Sequence, residues 1–211
     1  MNRRQALSRS AAALIAGMAF LSSAAGGLTL ETVAPGIEVH RGQQQDASPA
    51  NGGDIANIGY IVGSRCVAVI DSGGTFAIGA ALQAAIRSRT GKPVCYLIHT
   101  HVHPDHSYGD LAFDDPATVF VAHTAYPAAL ATRWDGYTAN LQRLLGSAAD
   151  RSGSRLPSLL VRDQETLDLG DRILRLQAWP TAHTNHDLSV FDEGLLVTLF
   201  AQGSVALIGF D

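Results

Sequence analysis

The run His99-Thr100-His101-Val102-His103-Pro104-Asp105-His106 sets histidines at 101, 103 and 106 and a carboxylate at 105 immediately after the apolar stretch Pro93 to Ile98. Four donor side chains within six residues, carried on the end of an apolar stretch, constrain the chain to a fold in which a buried strand delivers a ligand loop. Neutral imidazole and carboxylate suit a borderline ion such as zinc, and a short loop at a strand end aims alternate side chains at one point with little added ordering. A solvated histidine-rich turn would require neither the preceding strand nor a matching histidine downstream. This chain has that histidine, His183, in a second polar loop from Pro180 to Asp187.

The N-terminus reads as an address. Arg3, Arg4 and Arg9 precede the apolar run Ala11 to Leu21, and Ser23-Ala24-Ala25 offers small residues for cleavage, so residues 1–25 are expected to be a secretory signal peptide. The paired arginines fit a twin-arginine signal, and an uncleaved anchor is the alternative. The apolar run falls short of the roughly 20 residues a membrane span needs. The expected product is a soluble periplasmic domain over residues 26–211. Its formal charge of -4, with no basic run outside the signal, gives no footprint for nucleic acid or an anionic membrane surface. The two cysteines, Cys66 and Cys95, sit in strand-like runs and are read as small buried hydrophobes, although an oxidising compartment permits a bridge between them.

Periodicity predicts strands at 37–41, 55–62, 66–70, 94–98, 119–122, 166–169, 173–178, 188–191 and 195–200. Helical spacing covers Thr75 to Arg89 and Tyr126 to Ala149, the second with interruptions at Pro127 and Gly136. The polar segment Gln43 to Asp54 reads as a loop. No repeat or linker divides the chain after the signal, which points to one domain of mixed α and β layers.

A catalytic zinc site needs three protein ligands and an open position for water, whose pKa the metal lowers to about 7. His101, His103 and His183 supply the three. A His-x-His pair in extended backbone puts both rings on one side, and a ligand far along the chain closes the site once the fold has formed. Asp105 and His106 address the adjacent position, either for a second metal or with Asp105 as the general base for water.

These residues resemble the His-x-His-x-Asp-His signature of the metallo-β-lactamase superfamily, standing here as His101-Val102-His103-Pro104-Asp105-His106 with the downstream family histidine at His183. More narrowly, Gly53-Asp54-Ile55-Ala56-Asn57-Ile58-Gly59, the stretch Arg65 to Gly74 and Ala178-Trp179-Pro180-Thr181-Ala182-His183 look like the quinoprotein relay system zinc metallohydrolases. These are exported relatives associated with quinoprotein alcohol-oxidation systems. The resemblance implies a four-layer αββα sandwich with the metal at one edge between two sheets. It also implies a first metal site of His101, His103 and His183, half of a second site at Asp105 and His106, and a supporting hydrogen-bonding role for Asp71. A helix N-terminal carboxylate ahead of Thr75 is a compatible reading of Asp71.

The departures lie at the far end. Where the family has a Gly-Asp whose carboxylate bridges the two metals, this chain has Gln202-Gly203-Ser204, and it ends at Asp211 without the family's last histidine. A truncated or frame-shifted C-terminus is the expectation, so that one zinc is expected and two are the alternative. The resulting functional expectation is a periplasmic zinc hydrolase whose metal-held hydroxide attacks an ester, thioester or lactam carbonyl of a small-molecule substrate, with a link to a quinoprotein system. An iron-dependent oxygenase acting on a sulfur substrate, and a non-catalytic incomplete metal-binding domain, are the alternatives. The remaining histidines have blander readings: His40 as a surface residue, His99 as packed or supporting, His123 as capping or packing, and His186 as lining the pocket. Asp187 is read as ordering its loop, and Trp134 and Trp179 as core or pocket-wall aromatics.

Overall fold

The computed structural model describes residues 27–194, 197–199 and 205–207, so the expected signal peptide, Gln202-Gly203-Ser204 and Asp211 lie outside the described residues. The first sheet has strands β1 (Leu30–Ala34), β2 (Ile37–His40), β3 (Ile58–Val62), β4 (Val67–Ile70), β5 (Val94–Ile98), β6 (Val119–His123) and β7 (Leu159–Val161), paired in that order. Pairing is antiparallel up to β4 and parallel from β4 to β7. The second sheet is an antiparallel meander of β8 (Gln164–Asp168), β9 (Ile173–Trp179), β10 (Asp187–Asp192), β11 (Val197–Leu199) and β12 (Val205–Leu207).

The two sheets meet face to face. Ile37, Ile61, Ala68, Ile98 and Val121 from the first pack against Leu167, Leu174, Leu176, Leu188 and Val190 from the second. Helix α1 (Phe76–Arg89) covers the other face of the first sheet, laying Ile78, Leu82 and Ile86 on Val67, Val69 and Leu97. Burial on both faces explains why β4 reads as an unbroken apolar run, whereas β9 alternates exposed and buried positions. This is the expected mixed α/β double-sheet architecture. Among the described residues no helix covers the outer face of the second sheet, where Ile173 and Trp179 are exposed.

Thr75 caps α1, its hydroxyl accepting from the Ile78 amide at 3.4 Å, and Arg87 and Arg89 complement the last turn. Short helix α2 (Pro104–Ser107) carries the end of the histidine motif, and α3 (Tyr126–Leu145) follows β6. The expected interruptions of α3 do not occur. Pro127 occupies the first turn, where an amide donor is not needed, and Gly136 is accommodated within a continuous helix whose buried Leu130 and Leu141 hold it in place. Helix α1 also meets the loop after α2 almost backbone to backbone: a Cβ on Gly79 would stand 2.3 Å from the Gly109 carbonyl oxygen. That close approach sets the height of the motif above the sheet.

Three expectations are corrected. Cys66 and Cys95 are not separate small hydrophobes but a disulfide joining β4's leading end to β5, with Cα atoms 5.8 Å apart across 29 residues. A loop of that length constrains the unfolded chain by about 3–4 kcal/mol in chain-entropy terms. Strands β1, β7 and β12 were not predicted, being short segments without period-two apolar alternation. His40 is buried, not on the surface: Nε2 meets Asp54 Oδ1 at 2.8 Å and Nδ1 meets the Thr29 carbonyl at 2.9 Å.

The Asp54 hydrogen bond raises the His40 pKa above 6.5, outweighing burial, which acts the other way. A histidine with a raised folded pKa stabilises fully below its unfolded pKa of about 6.5, and that stabilisation is lost as pH rises through the folded value. The stability gap between the native chain and His40→Gln is therefore expected to narrow as pH rises above about 6.5 in urea melts. A gap constant across that rise would contradict the assignment.

Candidate metal centre

The site is built on the C-terminal ends of β4 and β5, where the chain leaves the sheet. Asp71, the residue after β4, adopts a left-handed backbone with φ of 56°, a conformation aspartate tolerates better than most residues. That turn aims its carboxylate at the histidine motif. Oδ1 accepts from the Thr100 amide at 2.8 Å, while Oδ2 accepts from the Thr100 hydroxyl at 2.7 Å and contacts His106 Nδ1 at 2.7 Å. Asp71, expected to support the metal ligands, thus makes its contacts with Thr100 and His106. Thr100 also accepts from the Leu188 amide at 2.8 Å, tying the motif to the second sheet.

From this anchor the motif turns over the sheet edge. His101 is fully buried, His103 half-buried and His183 exposed at the cleft rim. His183 arrives on the loop between β9 and β10, which Asp187 orders: its carboxylate accepts from the Thr184 amide at 2.7 Å and the Thr184 hydroxyl at 2.5 Å. His101 Nε2 and His103 Nδ1 stand 3.0 Å apart, and His103 Nδ1 and His183 Nε2 stand 3.2 Å apart. Nitrogens at Zn–N distances of about 2.0–2.1 Å in a tetrahedron are separated by about 3.3 Å, so these spacings fit one ion. Among the described residues these three form the group whose donor atoms converge within 4.8 Å of one another.

Protonation favours ligation. Burial, followed by the fields of His106, His103, His183 and His186, drives the His101 pKa far below its ordinary value. Burial also lowers His103, against the opposing pull of Asp105. Both rings therefore keep lone pairs available near neutral pH. The donor set and its protonation fit a zinc-type ion.

Asp105 and His106 line the same cleft, of about 320 Å³, with Asp105 Oδ2 at 3.4 Å from His106 Nε2. If His106 Nδ1 donates to Asp71, Nε2 keeps its lone pair facing the cleft. Burial would lower the His106 pKa, but the Asp71 carboxylate, with Asp105 beyond it, outweighs burial and raises it. No third donor converges on this pair among the described residues.

A buried carboxylate beneath the loop has no counterpart among the residues singled out from spacing. Asp110 Oδ1 accepts from the Ser72 hydroxyl at 2.7 Å, and Oδ2 accepts from the Ser154 hydroxyl at 3.1 Å and the Arg155 amide at 2.8 Å. Its Oδ2 also lies 3.2 Å from His99 Nε2, an electrostatic contact without good hydrogen-bond alignment. His99 stacks on Tyr126 at 4.9 Å between centroids, the packed role expected of it. The neighbours Asp71 and Ser72 thus hold the two ends of one loop, through Thr100 and Asp110. His123 accepts from the Ala125 amide at 2.9 Å ahead of α3. His186 is buried beside Thr184, with burial lowering its pKa to about 4, and does not join the converging nitrogens. Trp134 and Trp179 are more than a third exposed, so neither is a core residue.

The sequence model of the metallo-beta-lactamase superfamily matches residues 51–198. No curated protein matches the sequence. Among solved structures, a double mutant of the sec-alkyl sulfatase PisA1 superposes with a TM-score of 0.63 at 20% identity, covering 82% of this chain and 31% of that one. A metallo-beta-lactamase from Hirschia baltica gives a TM-score of 0.60 at 17% identity, covering 82% of this chain and 69% of that one. The metallo-beta-lactamase DIM-1 gives 0.58 at 17% identity, with 80% and 66% covered. The chain spans under a third of the sulfatase's length, and at these identities the likeness is one of fold.

Proposed function

The chain belongs to the metallo-beta-lactamase superfamily, and on that premise we propose that it is a zinc-dependent hydrolase cleaving an ester, thioester or lactam carbonyl of a small molecule. The observation that carries the reading is the convergence of three imidazole nitrogens, spaced 3.0 and 3.2 Å, in a cleft also lined by Asp105 and His106. Zinc held by His101, His103 and His183 would supply Lewis acidity and lower the pKa of water to about 7.

The chain's own residues do the rest. His101 and His103 are kept neutral by burial, and Thr100, fixed by Asp71, holds His101 Nδ1 at 3.0 Å from its hydroxyl. Asp105, partly exposed at the junction of the cleft, is placed to take a proton from attacking water on a carboxylate oxygen and return it to the leaving group as the acyl bond breaks. An exported, periplasmic setting and a service to a quinoprotein oxidation system belong to the same proposal. They are supported by the arginine-led apolar N-terminus, the disulfide and the motif resemblance.

The test is hydrolysis of neutral esters, thioesters and a lactam by the zinc-loaded protein. Asp105→Asn should retain metal at the three histidines while kcat falls about 10²–10⁴-fold, the usual range for a lost general base. Full activity in Asp105→Asn would remove Asp105 from the proton path. A zinc-loaded protein inert toward every substrate class would overturn the hydrolase reading.

A further inference from the structure

Beside the metal cleft lies a second cavity of about 320 Å³, walled by Ala47 and Ile55 from the loop before β3 and by Tyr137, Leu141 and Leu144 from α3. Ile55 and Asp105 line both compartments, so the second adjoins the metal cleft at these two side chains. Its wall is mostly carbon. The polar side chains along it are Asp46, Asn140, Asp105 and the phenol of Tyr137, two of them carboxylates. No lysine or arginine lines either compartment among the described residues. Arg133, whose charge reaches His103, His186 and the Tyr137 phenol, donates to the Ala129 carbonyl at 3.2 Å and lines neither.

From this arrangement we infer that the second cavity is the binding site for a neutral apolar arm of the substrate, so that the protein selects uncharged acyl compounds over those carrying a carboxylate. A carboxylate placed there would lose its hydration with no lysine or arginine in the cavity wall to replace it, beside the carboxylates of Asp46 and Asp105. An alkyl arm gains from each methylene removed from water. The inference rests on the hydrolase reading for the chemistry at the metal and on the cavity alone for selectivity. Helix α3 supplies Tyr137, Asn140, Leu141 and Leu144 to the wall, which gives it a role in specificity beyond covering the motif.

Two measurements on the full chain test it. For zinc-loaded protein, kcat/KM toward p-nitrophenyl acetate, butyrate and hexanoate should rise by up to about fourfold per buried methylene. An adipate half-ester should fall well below hexanoate. Leu144 is partly exposed, so Leu144→Trp can fill the cavity without emptying the core. It should collapse the hexanoate-to-acetate ratio. Independently of turnover, metal-free protein titrated by NMR should bind N-methylhexanamide more tightly than N-methylacetamide, with shifts at Leu141 and Leu144, and Leu144→Trp should abolish the difference. Ester hydrolysis without chain-length preference, or a preference that survives Leu144→Trp, overturns the cavity assignment and leaves the hydrolase standing. Tight N-methylhexanamide binding in a zinc-loaded protein that hydrolyses no ester overturns the hydrolase and leaves the cavity standing. Equal affinity for the two amides overturns the cavity assignment whatever the turnover.

Discussion

His101→Ala is expected to empty the metal centre and reduce hydrolysis to background. His101 is the fully buried member of the three, and its Nε2 faces His103 Nδ1 at 3.0 Å, so its loss leaves two nitrogens, one of them at the exposed rim. Losing a residue that only supports a ligand costs about 10–100-fold in metal affinity or activity, and losing a ligand from a three-donor site should exceed that. Folding should survive, because the motif is also held from Asp71 and Ser72 through contacts that do not involve the His101 ring. Metal analysis and hydrolysis on a protein with native circular dichroism check both halves. Native metal content and rate in His101→Ala would remove this residue from the centre.

Asp71→Ala is expected to be the most destabilising single change near the site. The carboxylate is 1% exposed, and its removal strands the Thr100 amide, the Thr100 hydroxyl and His106 Nδ1 in the interior. Breaking a buried charged pair typically costs about 3–5 kcal/mol. Alanine also tolerates the left-handed backbone at 71 less well than aspartate. Asp71→Asn separates structure from chemistry. The amide keeps an acceptor for Thr100 and is tolerated at the same φ, but its single oxygen can take only one of the two carboxylate oxygen positions. If its nitrogen faces His106 Nδ1, the ring must move its proton to Nε2, and the lone pair toward Asp105 is lost. Chemical denaturation should therefore show Asp71→Ala strongly destabilised and Asp71→Asn much less so. Activity in Asp71→Asn should still fall about 10–100-fold. Equal stability of native protein and Asp71→Ala would contradict the anchoring role.

What could be read from the sequence follows from which signals are local. His101, His103, Asp105 and His106 are close in sequence and follow an apolar run, so strand and ligand loop were visible together. The resemblance then picked His183 out of eight histidines, and the structure brings it within 3.2 Å of His103. The central strands were legible because burial on both faces writes a continuous apolar run, and α1 because its cap and period agree. Asp110 was not legible. Its function lies in partners at Ser72, His99, Ser154 and Arg155, and no spacing rule links positions that far apart. His40 was misread for the same reason, since a histidine ending a strand shows nothing of the Asp54 that comes to meet it. The disulfide depended on the neighbouring of β4 and β5, which parallel pairing across a helix decides and composition does not. Gly136 and Pro127 were overweighted as helix breakers, because local propensity was set against packing that had yet to be seen.

The most direct test of the account is metal content by mass spectrometry on purified, folded protein. The account predicts at least about one equivalent of bound zinc, the occupancy of a closed three-histidine set. A folded protein that binds no metal when zinc is supplied at neutral pH would contradict it, because the converging nitrogens of His101, His103 and His183 would then be doing something else.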